Sequence, residues 1–199
     1  LPALKKVRPQ AMLTVPLLWY MGRALFRSRT VGLGAALVLS ILYWHVSFSR
    51  IGMEPILVPF FATLAFAALS WGLNTNRLLA FGLTGLAVGG SLYTYKAGYF
   101  VPILAILYLA SAAVIERGFL RRYWRGLALA LLVTLLVASP IVIYFVTHLA
   151  NFLQRPLSVA SPRQNLAANL LRVLGMFFIE GDANPRSNLP GRPVWDLFL

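Results

Sequence analysis

The sequence contains no cysteine, which excludes disulfides and thiolate metal sites and removes any sign of redox compartment. Charge is also scarce. Only 12% of residues are charged, against about 25% in an ordinary soluble domain. Acids are the scarcer sign, with 5 Asp and Glu against 18 Lys and Arg, for a net charge of +13. The only histidines are His45 and His148, so no His-x-x-x-His pair exists. The sequence likewise lacks a nucleophile constellation, a phosphate loop and a dinucleotide fingerprint. No metal-ligating set is legible.

Apolar residues fill the space that charge leaves. They make up 59% of the chain, at a mean hydropathy of +0.76. A soluble domain of this size would have to expose much of that surface, so lipid is the solvent that fits. The basic residues lie mostly in short gaps between apolar runs, where Lys and Arg fix orientation and meet anionic headgroups. Membrane lipid is therefore the implied partner, and nucleic acid is not.

The expected fold is all-α, a polytopic transmembrane helical bundle of about five or six spans. Five runs are long enough to cross a hydrocarbon core of about 30 Å: 31–47, 53–73, 78–95, 99–115 and 126–147. A shorter sixth, 11–22, contains Pro16. Pro140 predicts a kink in the last run, with neighbouring groups covering the freed carbonyl. Gly82, Gly85 and Gly89 share one helical face and predict close helix packing.

Basic residues alternate between the gaps. Arg23, Arg27, Arg29, Arg77, Arg117, Arg121, Arg122 and Arg125 fall on one side, and Arg50 and Lys96 on the other. The excess of positive charge places the first group in the cytoplasm, and so the second group outside an inner (plasma) membrane. Residues 1–147 then form the bundle, and 148–199 an extracytoplasmic loop. Within that loop 162–178 reads as an amphipathic helix on the outer interface or a lid on the bundle. Beyond it lies a polar turn-rich stretch and the start of a further span.

Three outward stretches carry the polar groups. His45 and Arg50 end the first long run, where Arg50 either snorkels to headgroups or meets a phosphate. Glu54, about a turn away, is a partner for Arg50. Tyr93, Tyr95 and Lys96 form a second stretch, readable as an interfacial belt or as an anion contact. Asp182, Asn184, Arg186, Asn188 and Arg192 form a third, where Asn and Asp also serve turns.

Taken in order, Trp44-His45 with Phe48-Ser49-Arg50-Ile51-Gly52, Tyr93-Thr94-Tyr95 with Val101-Pro102, and 181–186 with Asn188-Leu189-Pro190-Gly191-Arg192-Pro193 resemble the GT-C membrane glycosyltransferases of the protein-mannosyltransferase and aminoarabinose-transferase type. The resemblance implies transfer of a sugar from a polyprenyl-phosphate donor to a glycan, lipid or protein acceptor at the outer face. It implies substrate-binding roles for His45, Arg50, Tyr93, Tyr95, Lys96, Asp182, Arg186, Asn188 and Arg192. It also implies a catalytic carboxylate in a large outward loop, which here would precede Leu1. On this reading the chain is an internal fragment, inactive alone. The cofactor stays open, a divalent cation in the full-length protein being one option. Ser187 and Tyr99 depart from the family pattern, where a His and an Arg are expected; if those positions help hold the donor phosphate, its binding here is altered or shared with other residues. A secondary transporter and a non-catalytic membrane scaffold are the rival readings.

Overall fold

A computed structural model describes residues 2–51, 54–148, 166–181 and 193. Among them the structure is helical and contains no strand. The helices are α1 (Pro2–Phe26), α2 (Arg29–Ile41), α3 (Tyr43–Ile51), α4 (Leu57–Thr75), α5 (Leu78–Ser91), α6 (Phe100–Ile115), α7 (Phe119–Thr147) and α8 (Leu166–Phe178). Short 3-10 turns at Glu54–Ile56 and Lys96–Tyr99 lead into α4 and α6.

Among the described residues three segments are long and apolar enough to cross a membrane: Glu54–Thr75, Lys96–Ile115 and Phe119–Thr147. The pair α2 and α3 makes a fourth if it is counted as one span, although the two helices are bent by 57°. By length and composition, three or four of the expected five or six spans are supported among the described residues. Helix α5 has 14 residues, about 21 Å at 1.5 Å per residue, well short of a hydrocarbon core. The run predicted over 78–95 stops at Ser91 because the chain tightens there. Leu92, Tyr93 and Thr94 donate their amides to the carbonyls three residues back, at Gly89, Gly90 and Ser91. The apolar part of α1 is likewise short, Met12–Phe26.

Helices α4 and α5 are the centre of the bundle. Phe81 is fully buried beside Leu69, Phe119 and Tyr123, while Ala65, Ala87, Val88 and Val101 form a second cluster. The close packing comes from missing side chains. A Cβ on Gly126 would meet the Phe81 ring, one on Gly85 the Ala130 carbonyl, and one on Gly89 the Val137 side chain at 2.7 Å. Gly82 faces open space, so the expected glycine face is two residues long rather than three. A separate close approach joins α1 to α2, where Gly32 lies against the Trp19 carbonyl.

The outer surface is apolar. On α7, Leu131, Leu132, Leu135, Leu136 and Ile143 are all exposed, as lipid-facing side chains should be. Helix α7 runs unbroken through Pro140. Proline cannot donate to the carbonyl of Leu136, four residues back. The Ser139 hydroxyl donates to it instead, at 2.8 Å. The same helix starts at Phe119, ahead of the apolar run predicted from Gly126. Its first turns carry Arg121, Arg122 and Arg125, and the arginine stems can lie along the helix while their heads stay at its end.

The amphipathic segment appears as α8, beginning at Leu166; residues 162–165 lie outside the described residues. Its apolar side chains Leu170, Val173, Leu174 and Phe178 are exposed.

Candidate functional site

Contacts sort the chain's polar groups onto two ends of the bundle. At one end, Tyr123 at the start of α7 donates its hydroxyl hydrogen to the carbonyl of Leu73 near the end of α4, at 2.9 Å. Arg27, Asn74 and Glu116 line one crevice with these residues. This end therefore holds the arginine-rich turns. At the other end, Tyr93 donates to the Val137 carbonyl at 2.6 Å, and the Tyr99 and Phe145 rings meet edge to face at 6.4 Å. The 3-10 turn that carries Lys96 touches α4, and α3 touches the turn that opens α4.

His45 is buried, 8% exposed. It lines an apolar pocket of about 280 Å³ with Leu42, Trp44 and Phe48 on one wall and Pro55, Ile56 and Pro59 on the other. Trp44 and Phe48 stack obliquely, with centroids 5.1 Å apart. The pocket exists because α2 ends at Ile41 and α3 leaves at an angle, which sets Trp44 and Phe48 over Pro55 of the 3-10 turn and Pro59 of α4. The Trp44 indole N–H is buried there and has no acceptor among the described residues. A pocket of this size is just below the usual range for drug-sized ligands, about 300–1,000 Å³.

Arg50 is exposed at the last turn of α3, and Glu54 is exposed where the next turn begins. Lys96 and Tyr95 are also exposed. The turn that presents Lys96 is clamped: the buried Ser91 hydroxyl lies 2.7 Å from the Val88 carbonyl and 3.1 Å from that of Gly98. A Cβ on Gly98 would strike the Ser91 carbonyl, so the turn depends on glycine. Tyr93 also makes a contact that the sequence did not announce. Its hydroxyl is engaged by α7, while its ring stays exposed beside Tyr95 and Lys96.

The structure thus assembles a pocket around His45 and places Arg50 and Lys96 at the same end of the bundle, outside the pocket walls. Asp182, Arg186, Asn188 and Arg192 lie outside the described residues. Among the described residues, no group of three or more His, Cys, Asp or Glu could hold a metal ion. Compared with protein-family models, curated proteins and solved structures, the chain matches none.

Two contributors to the pocket have no separate mark in the sequence: Pro55 and Pro59 fall inside the apolar run 53–73. The break after Ile41 has no glycine or proline at it to announce a bend. A weaker signal was present: Ser40 returns its hydroxyl to the Leu37 carbonyl at 2.7 Å, and side-chain bonds of this kind loosen a helix locally.

Proposed function

We propose that this chain is part of a membrane glycosyltransferase that moves a sugar from a polyprenyl-phosphate donor to an acceptor at the face of the membrane opposite the arginine-rich turns. The supporting observation is the apolar pocket at the α2–α3 bend, lined by Trp44, His45 and Phe48 on a helix that ends in Arg50. An isoprenoid segment would lie against Trp44, Phe48 and Pro59, and its phosphate would meet Arg50 and Lys96. Cations at that position stabilise the charge left on the departing polyprenyl phosphate. Arg186 and Arg192 join them in the proposed site. The acceptor hydroxyl would be deprotonated by a carboxylate supplied from outside residues 1–199. Helices α1 and α5 complete the bundle as short crossings, and α8 lies with its exposed apolar side on the membrane surface.

A secondary transporter is the less favoured reading. Such proteins place ion-paired or unwound segments near the midplane. Helices α4, α5 and α6 contain no Asp, Glu, Lys or Arg at all.

The test has two parts. Quenching of tryptophan fluorescence by a polyprenyl phosphate reports binding to the purified chain in nanodiscs, and Arg50→Ala and Lys96→Ala should each weaken it roughly tenfold, the scale of one hydrogen bond to a charged group. Equal binding by wild type and both variants refutes the site. In the protein translated from its full reading frame, Arg186→Ala with Arg192→Ala should sharply lower sugar transfer, and unchanged turnover removes their role.

A further inference from the structure

The arginine-rich end of the bundle holds a second concavity, about 220 Å³, between the α1–α2 turn, the end of α4 and the α6–α7 turn. Its walls are mostly polar, unlike those of the pocket beside His45. Two wall groups are already satisfied by the fold: Ser70 donates to the Phe66 carbonyl at 2.7 Å, and Tyr123 to that of Leu73. Three others are not. The Arg27 guanidinium, the Asn74 amide and the Tyr108 hydroxyl form no hydrogen bond or ion pair with the described residues. Neighbouring arginines are engaged, Arg23 over the Trp19 ring at 5.6 Å, Arg125 over Trp124 at 5.6 Å, and Arg122 over Tyr123 at 5.2 Å. The one acid in the wall, Glu116, lies 3.5 Å from Arg122, which offsets its charge.

We infer that this crevice binds a phosphate group, with Arg27 supplying the charge and Asn74 and Tyr108 donating hydrogen bonds. A guanidinium presents a planar fork of donors that matches phosphate oxygens, and a surplus of arginine around the rim raises the local concentration of anions. Arg27 also occupies a left-handed backbone conformation, φ 51°, where glycine would sit without strain. The chain keeps a cation at a position whose backbone favours its absence. A phosphate here can come from a phospholipid headgroup of the adjacent leaflet or from a soluble organic phosphate. The chemistry is common to both. The inference concerns the end of the bundle away from Arg50 and does not depend on the glycosyl-transfer reading.

The experiment uses the full chain purified in maltoside detergent and follows its thermal midpoint as dioctanoyl phosphatidylglycerol is added. Dioctanoylglycerol is the control without phosphate. The phospholipid should raise the midpoint of the wild type, and Arg27→Gly should need roughly tenfold more lipid for the same rise. Because Arg27→Gly relieves the left-handed backbone, its folding is not at risk, and Asn74→Ala serves as a second variant with a smaller loss. Arg121→Gln, exposed on α7 outside the crevice, should stay within about twofold of wild type, as a screened surface charge would. Competition by glycerol 3-phosphate would identify the soluble source, and its failure to compete the headgroup. Equal loss in Arg27→Gly and Arg121→Gln, or equal stabilisation by dioctanoylglycerol, overturns the inference.

Discussion

The hydroxyl of Tyr93 donates to the carbonyl of Val137 at 2.6 Å, one helical turn before Pro140. It binds the turn after α5 to the one helix whose backbone ladder is interrupted by proline. Together with the Ser139 hydroxyl on the Leu136 carbonyl, it supplies hydrogens next to the place where proline has none to give. Tyr93→Phe should therefore lower stability by about 1 kcal/mol, read as the midpoint of unfolding in a mixed-micelle denaturant titration. Ser139→Ala should act similarly. The double variant should lose more than the sum of the two, since they support adjacent carbonyls. Polyprenyl-phosphate binding by Tyr93→Phe should stay near the wild-type value. A strong loss of binding without loss of stability would return Tyr93 to the ligand site.

Glycine packing gives a second test with its own control. Gly85→Ala and Gly126→Ala place a methyl group against the Ala130 backbone and the Phe81 ring, respectively. Overpacking of this kind costs about 1–3 kcal/mol. Gly82→Ala meets nothing within 4 Å and should be neutral or stabilising by up to about 1 kcal/mol, the difference in helix propensity. Thermal midpoints in detergent will separate the three. A loss for Gly82→Ala equal to that of its neighbours would contradict the helix pairing.

The turn before α6 is a third point of leverage. Gly98→Ala should push the turn away from Ser91 and move Lys96 with it. Polyprenyl-phosphate affinity should fall about as far as in Lys96→Ala, roughly tenfold, although residue 98 touches no ligand. Unchanged affinity would mean that the position of Lys96 does not matter.

Trp44 offers the fourth. Its indole N–H is buried without an acceptor among the described residues, and such a donor costs about 1–3 kcal/mol. Trp44→Phe removes the donor but keeps an aromatic ring, so the ligand-free protein should be as stable as wild type or more so. Binding of a polyprenyl phosphate should nonetheless weaken. Unfolding midpoints with and without the lipid give both numbers, and a variant that binds as well as wild type would leave the indole with no part in the site.

Much of this architecture was legible in the residues themselves. Apolar runs of span length identified α4, α6 and α7, because lipid demands a continuous row of nonpolar side chains and a fully bonded backbone. The partition of Arg77 and Arg117 from Arg50 and Lys96 also followed from sequence, since those charges must sit outside the hydrocarbon. What escaped was anything decided between helices. The bend after Ile41 has no local breaker, and the early stop of α5 at Ser91 is set by three tight amide–carbonyl bonds that composition does not encode. For the same reason Gly126, which looked like a mere start to an apolar run, proved to be the seat of Phe81. Tyr93 looked like an interfacial ring and was found holding a carbonyl. The crevice around Arg27 draws on segments 89 residues apart, from Arg27 to Glu116, and only the folded chain brings them side by side.

The bend between α2 and α3 also bears on the bilayer itself. Laid end to end, 13 and 9 residues would reach about 33 Å, but with the second piece turned by 57° the pair climbs only about 27 Å. Crossing as one span with α2 along the bilayer normal, the pair would require lipids thicker than this to shorten or tilt. In the proposed site such a shortfall near Arg50 would let a phosphate tethered to a long hydrocarbon tail approach the protein without first leaving the membrane.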